Sequence, residues 1–549
     1  MRIFKLFVTF IVSSLIVLPQ NRDNEYYSKL NKSFEIYGGV FKILTKDYVV
    51  KIDPEKLMEK GIEGMLDALD PYTVYISENK NSNRLDALMS GSYTGFGISA
   101  GTLDSQLTVL KILHGSPNWK YGLRVGDKIY KIDTTVFLYS QSSELQKYSS
   151  GSPGTFIDVE ILRDGIDDTL KLSLVRDKIR INGIACYKML DDGIGYILIS
   201  EFSRNLSDEF KTCLFELRKQ GELKGLIIDV RDNPGGLLLS AVEICELFLP
   251  DDTPVVSTKG YNDKEFSIIN TVATSPDTSL PLAVLINANS ASASEILAAA
   301  MQDLDRAVII GQRSFGKGLV QSVKELPYNG FLKITTSKYY MPSGRCIQRL
   351  DYPVAKEKNG LGLHHDSLFY TKNKRPVYES SGVEPDIVVK EPEPNDYQKS
   401  LLSNFCFFKF ANFYTSRLDT LTLDFAVIPG ILQQFEEFLE NENCASNNRI
   451  DDKLIALKTE IEKTSLKDKV SKDIDKIIRK IDKAGNFEFY DNLNFIKDNL
   501  RKEILKRFYS IELIEKINLN EDNSIKKAIS ILKTRQYYSI LSKPENKLN

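Results

Sequence analysis

Apolar residues recur along this chain in four different rhythms, following an uncharged run from Leu6 to Pro19 that Arg2 and Lys5 precede. From Glu25 to about Met89 the spacing is helical, with Leu57, Gly61, Met65 and Leu69 along one side and Asp70-Pro71 ending the run. From about Ser90 to Lys178 short β-branched runs (Leu107 to Ile112, Thr155 to Leu162, Thr169 to Val175) alternate with Gly and Pro turns, which predicts a compact β-rich domain. Up to about Pro392 apolar strands alternate with helical stretches, the pattern of an α/β domain. Beyond it Leu454, Leu457 and Ile461, then Ile474, Ile477, Ile478 and Ile481, return at three and four residues, as on amphipathic helices. The expectation is a multidomain α/β chain: a leader over 1–22, a helical module over 23–89, a β-rich domain over 90–178, a core of mixed sheet and helices over 179–392, and a helical region over 393–549.

The leader is too short for a comfortable membrane span and has the length of a signal-peptide apolar segment. No clear Ala-x-Ala site follows, so removal and retention as an anchor both stay open, and either implies export. At 549 residues the chain exceeds what one core organises. A net charge of −2 gives no reason to expect a nucleic-acid partner. The six cysteines form no Cys-x-x-Cys pair, which argues against a zinc or redox motif and fits free thiols.

Candidate chemistry begins at Gly311, where Gly-x-x-x-x-Gly-Lys follows the apolar run Ala307 to Ile310, as at the start of a phosphate-binding loop. Such a loop needs Ser or Thr after the lysine and then a helix. Here Gly318 follows Lys317, and Leu319 to Val323 reads as a strand, so nucleotide binding is set aside. Upstream, Pro281 to Asn287 reads as a buried strand, and Ser290-Ala291-Ser292-Ala293-Ser294-Glu295 leads into a helix from Ile296. A serine at a strand-to-helix turn lies beside unpaired N–H groups and the positive end of the helix, which favour an oxyanion. The same Ser292 and Glu295 also form a Ser-x-x-Glu capping box, so nucleophile and cap are both open from this stretch alone. The chain has three histidines (His114, His364, His365), none in the strand–helix core. Lys317, which follows the next strand after the serine's helix, is the better-placed base, because burial favours the neutral amine.

These residues resemble the carboxy-terminal processing peptidases, or tail-specific proteases: serine endopeptidases with a PDZ domain and a Ser-Lys dyad. The likeness runs from about Tyr37 to Val389 and rests on Ser290 to Glu295, on Phe315 to Gln321, and on Arg231 to Gly236. Tyr340 to Gln348 and Gly382 to Ile387 add to it. It implies Ser292 as nucleophile, Lys317 as base and Gln321 as the residue orienting the lysine. It also implies an oxyanion hole from Gly235 or Gly236 with Ala293, and no metal or other cofactor. In the PDZ module Tyr93-Thr94-Gly95-Phe96-Gly97-Ile98 correspond to the loop that takes a substrate's terminal carboxylate while the peptide adds as a strand. Phe96 and Trp119 stand where smaller residues are expected. The implied activity is acyl-enzyme hydrolysis of peptide bonds in proteins caught by their C-termini, with activity falling as Lys317 protonates. The alternative is a PDZ scaffold with an inactive protease domain. Family habit and the leader together place the protein in the bacterial envelope, in the periplasm or on the periplasmic face of the inner membrane. Association with that membrane would run through the leader, and a homodimer through the helical regions.

Overall fold

The computed structural model describes residues 21–77, 91–113, 116–137, 142–261, 266–272, 277–349, 367–379, 382–416, 418, 420–442, 444, 456–461, 463–464, 470, 473–474, 476, 488–519 and 521–542. Residues 1–20 of the expected leader, the Met89/Ser90 boundary, all three histidines, and Leu454, Ile477, Ile478 and Ile481 lie outside the described residues. Among the described residues no helix is long and apolar enough to cross a membrane.

The chain divides into two compact units, Met1–Pro71 and Tyr72–Asn549. The first contains two helices, α1 (Asn21–Asp47) and α2 (Pro54–Leu66). Asp53 caps α2 by accepting the Glu55 N–H at 3.0 Å, and proline follows at the first helical position. Gly61 lets α1 come close, because a Cβ there would meet the Tyr37 hydroxyl at 2.3 Å.

The second unit opens with the short strand β1 (Val74–Ile76) and then the β-rich module. There β2 (Ser92–Gly95) pairs with β9 (Asp177–Arg180). Between them β3 (Ile98–Leu103), β4 (Gln106–Ile112), β5 (Lys128–Ile132), β7 (Phe156–Leu162) and β8 (Leu170–Val175) form a sheet in the order β3-β4-β5-β7-β8, with β6 (Thr135–Val136) on β5. Helix α3 (Ser142–Ser149) places Leu145 in the module's core with Phe96, Leu107, Ile129 and Ile161.

The α/β core is a six-stranded sheet in the order β10 (Ile184–Met189), β11 (Ile194–Ile199), β12 (Gly225–Asp229), β15 (Leu282–Ile286), β16 (Val308–Gly311), β21 (Ile387–Val388). It is parallel except for the β10–β11 pair. Every residue of β12 and β15 is buried, as continuous apolar runs in a doubly covered sheet must be. Leu226, Ile228, Val284 and Ile286 face one layer, formed by α4 (Leu206–Gln220), α5 (Leu238–Glu246) and α6 (Ala293–Asp303). A second sheet joins β13 (Pro254–Gly260), β14 (Ser267–Asn270), β17 (Leu319–Leu326) and β18 (Gly330–Tyr340) to β1, and β19 (Leu368–Tyr370) with β20 (Pro376–Tyr378) makes a hairpin.

The helices that follow divide between two cores. Those at Asp396–Ser403, Cys406–Thr415, Pro429–Asn441 and Leu493–Leu505 surround an aromatic cluster of Phe407, Phe410, Phe435 and Phe489. The last helices, Asn523–Leu532 and Gln536–Leu541, instead bury Ile525, Ala528, Ile531 and Tyr537 against Ile227, Ala283, Leu285 and Ile310, the other face of the six-stranded sheet. They are its third layer.

Cys406 and Cys444 are joined by a disulfide within the aromatic cluster, which corrects the expectation of six free thiols; Cys186, Cys213, Cys245 and Cys346 are buried and outside any disulfide. The bridge closes a loop with a sequence separation of 38. Chain entropy for a loop of this length gives about 4 kcal/mol of stabilisation. Cys444→Ser is therefore expected to lower the melting temperature of the helical region by several degrees in oxidising buffer. Added reductant should lower the wild type to the same value and leave the variant unmoved.

Candidate active site

The site forms where the C-terminal ends of β12, β15 and β16 meet the start of α6. After β15 the chain turns through Asn287 to Ser290, and the buried Ser290 hydroxyl donates to the Val230 carbonyl at 2.8 Å, tying this turn to the one after β12. Ser292 then adopts φ 57° and ψ −116°, a conformation that costs a non-glycine residue about 1–3 kcal/mol. The helix behind it is buried along all of its eleven residues.

The capping box is present, but Glu295 and the backbone make its hydrogen bonds. The Glu295 carboxylate accepts the Ser292 N–H at 2.9 Å, while the Glu295 N–H donates to the Ser292 carbonyl oxygen at 2.9 Å. The Ser292 hydroxyl faces the Glu295 N–H as in a capping box, but that contact falls short of hydrogen-bond geometry. The hydroxyl is not needed to hold the helix end.

Glu295 has a second set of partners. Oε2, which takes the Ser292 N–H, also accepts the Lys317 N–H at 2.8 Å, and Oε1 accepts the Gly316 N–H at 2.7 Å and the Ser314 hydroxyl at 2.5 Å. One fully buried carboxylate thus holds the serine turn and the lysine loop together. Burial pushes its pKa up to about 7, against the pull of its four donors. A second tie comes from Tyr339, whose buried hydroxyl donates toward the Lys317 carbonyl and, at 3.3 Å, the Ser292 carbonyl. The Lys317 Nζ lies 4.4 Å from the centre of the Tyr72 ring. Gln321 stands in β17 with its amide donating to the Thr335 hydroxyl at 3.3 Å.

The glycine turn lies directly against the serine. Buried Asn233 accepts the Ala291 N–H (3.0 Å) and the Ser294 hydroxyl (2.9 Å) on its carbonyl, while its side chain takes the Gly235 N–H at 2.8 Å. Gly235 has φ 102°, and a Cβ there would lie 2.7 Å from the Ala291 carbonyl and 2.8 Å from Ser292 Cβ. No side chain fits. Because the Gly235 N–H is taken, Gly236 is the member of the pair whose N–H has no partner among the described residues.

In the β-rich module, Tyr93, Thr94 and Gly95 pair with Ile179, Lys178 and Asp177, so their backbone belongs to the β2–β9 ladder. The Phe96 side chain is buried in the module's core, and its carbonyl accepts from Ser116 Oγ and Asn118 Nδ2, both at 2.8 Å. Its bulk is therefore core rather than pocket. Gly97 turns the chain at φ 66°, and Ile98 opens β3, the edge strand of the sheet. Of the six loop residues, Gly97 and Ile98 lead onto an edge that a peptide strand can extend.

Sequence reading did not single out Tyr339, Asn233 or the ion pair of Asp229 with Arg231 behind the glycine turn (2.6 Å). The run Arg231 to Gly236 signalled the turn without saying what holds it.

Comparison with known proteins places these features in a class. Residues 193–354 match the model of peptidase family S41, and residues 94–174 match that of the PDZ domain. Residues 16–80 match the N-terminal domain of the activating protease CtpB, and residues 397–532 the C-terminal helical domain of probable PDZ-proteases. The chain is 32% identical over 392 residues to a carboxy-terminal-processing protease of Bartonella bacilliformis, covering 71% of this chain and 82% of the relative. It is 32% identical over 325 residues to the carboxy-terminal processing protease CtpB of Bacillus subtilis, covering 59% and 67%. A solved photosystem II D1 C-terminal processing protease aligns at 24% identity with a TM-score of 0.34, over 64% of this chain and 91% of that one. The chain belongs to the carboxy-terminal processing proteases, PDZ-containing peptidases of family S41.

Proposed function

We propose that this protein is a serine endopeptidase in which neutral Lys317 removes the proton from Ser292 Oγ as the oxygen attacks a peptide carbonyl. The tetrahedral oxyanion is received by the N–H groups of Gly236 and Ala293, and Gln321 orients the lysine. Lys317 then gives its proton to the leaving amine, an acyl ester remains on Ser292, and a water deprotonated by Lys317 hydrolyses it. The observation that carries this reading is the Glu295 carboxylate, one oxygen of which holds both the Ser292 and the Lys317 N–H.

The substrate is a protein caught by its C-terminus on the β3 edge, its terminal carboxylate at the Gly97 turn. The chain works outside the cytoplasm, in the bacterial envelope, exported or anchored by its leader; the Cys406–Cys444 bridge supports an oxidising compartment. Exposed Tyr26, Phe34 and Ile43 along α1 support pairing with a second copy.

The test is cleavage of an unfolded reporter ending in a free carboxylate or in an amide. The free-ended reporter should be cut at a kcat/KM at least about tenfold higher, mainly through KM, because amidation removes the charge that the turn receives. Equal rates would remove tail capture, and no cleavage of either would remove the enzyme.

A further inference from the structure

We propose that the C-terminal helical layer is a working part of this active site: Asp522 holds Arg231, and through it keeps the Gly235-Gly236 turn in the geometry that receives the oxyanion. The inference rests on the reading of Ser292 as nucleophile.

Arg231 begins the turn, two residues after the last residue of β12. Its guanidinium bonds Asp229 at 3.0 Å (Nε to Oδ1) and 2.6 Å (Nη2 to Oδ2), and Asp229 is itself buried and held by the Tyr196 hydroxyl at 2.8 Å. The remaining nitrogen, Nη1, reaches Glu391 at 3.0 Å and Asp522 at 2.8 Å. The Glu391 side chain is 47% exposed and that of Asp522 26%, so solvent screens the second contact less.

Asp522 is also the more firmly held acceptor. Its other oxygen caps the helix Asn523–Leu532 by taking the Ile525 N–H at 2.9 Å, and Ile525, Ala528 and Ile531 of that helix are buried on the protease sheet. A cavity of about 430 Å³ lined by Tyr196, Asp229, Arg231, Glu391 and Asp522 separates the turn from the helical layer. Leu198, Ile199 and Leu519 line it too, and the ion pair of Arg231 with Asp522 spans it. On its other side the turn is held by the serine's own loop, with the Asn287 side chain accepting the Asp232 N–H at 3.0 Å. The end of β11 and the segment after it hold the turn as well, through the Phe202 N–H on the Gly235 carbonyl at 3.0 Å and Asn233 Nδ2 on the Ile199 carbonyl at 2.8 Å. Its Arg231 end is fixed from the C-terminal layer, and releasing it there lets the Gly236 N–H drift. Displacements of this size at a reacting centre weigh on the transition state far more than on substrate binding.

Asp522 is a positioning residue, and Asp522→Asn isolates its role, since asparagine caps a helix as well as aspartate does while losing the charge that faces Arg231. Lys533→Met is the control: it breaks another ion pair of the same layer, with Asp192, far from the turn in sequence. In the full-length protein Asp522→Asn should lower kcat about tenfold with KM within about twofold. It should also weaken a peptide aldehyde, whose adduct on Ser292 carries an oxygen in the hole, about tenfold, without changing the affinity of an uncleaved tail peptide. Lys533→Met should leave all three readings at wild-type values. Wild-type kcat and aldehyde affinity in Asp522→Asn, with Ser292→Ala inactive, would overturn the coupling alone, as would an equal kcat loss in Lys533→Met. Cleavage by Ser292→Ala would overturn the dyad and this inference with it.

Discussion

Ser292→Ala is expected to lower kcat by at least about 10⁴-fold and to move the melting temperature by less than about 2 °C. The two halves of this result come from different atoms. The helix end at Ser292 is satisfied by Glu295, which accepts the Ser292 N–H, and by the Glu295 N–H on the Ser292 carbonyl, and both survive when only Oγ is removed. An ordinary capping serine would cost about 1 kcal/mol on truncation; this one has no cap bond to lose. Lys317→Ala should fall nearly as far in kcat, because its backbone N–H stays bound to Glu295 while the base is gone. It also loses the contact of its side chain with the Tyr72 ring. On the proposed mechanism Lys317 and Ser292 act as one unit, so the double variant should be no slower than the slower single variant. Single-turnover cleavage of an unfolded reporter, with thermal melts followed by circular dichroism, measures both halves. A Ser292→Ala enzyme that still cuts, or that melts more than about 5 °C low, would return Ser292 to the role of a helix cap.

What the sequence made legible follows how local each signal is. The buried strand Leu282–Ile286 and the helix behind it stood out because a doubly covered strand is apolar at every position and the helix begins at a capping box. The absence of a helix after Lys317 was equally readable, and Leu319–Leu326 is a strand. Glu295 was visible only as half of that box. Its three other donors come from Ser314, Gly316 and Lys317, about twenty residues on, and no periodicity reports a contact made by a loop folding back. The C-terminal region read as one amphipathic stretch for a related reason: a stripe says that a face is buried, not against what. The helices Asp396–Ser403, Cys406–Thr415, Pro429–Asn441 and Leu493–Leu505 meet one another around Phe410 and Phe435, and Asn523–Leu532 and Gln536–Leu541 meet the six-stranded sheet. The pairing of Cys406 with Cys444 is set by that same packing, and six scattered cysteines could not announce it. In the PDZ loop the residue types suggested a carboxylate cradle, yet strand pairing claims the backbone of Tyr93 to Gly95 and the core claims Phe96.

Glu295→Gln is expected to lower kcat about 10³-fold, with a pH signature that a merely structural residue lacks. Four donors converge on the carboxylate, two on each oxygen. A glutamine offers one acceptor oxygen and turns its NH₂ toward the other two donors, and each buried donor left unpaired costs about 1–3 kcal/mol. The serine turn and lysine loop must then part, and a displacement near 1 Å at a reacting pair costs about 10²-fold before any loss of proton transfer. In the wild type, burial raises this carboxyl from its ordinary value of 4.5 to about 7. Between those values the folded protein holds a proton that the unfolded chain has released. The group's contribution to stability is therefore present in full below about 4.5 and is lost as the pH rises to about 7. Activity runs the opposite way, because only the ionised carboxylate accepts all four donors, so kcat should climb with pH through about 7 and rise further as Lys317 loses its proton. Over that window the wild type should become faster while this group's share of its stability falls, and Glu295→Gln should lose the step near 7 from both profiles while keeping the lysine's alkaline rise at its lower rate. A wild-type kcat flat from about pH 5 to 9 would mean that neither the shared carboxylate nor the lysine governs the attacking serine.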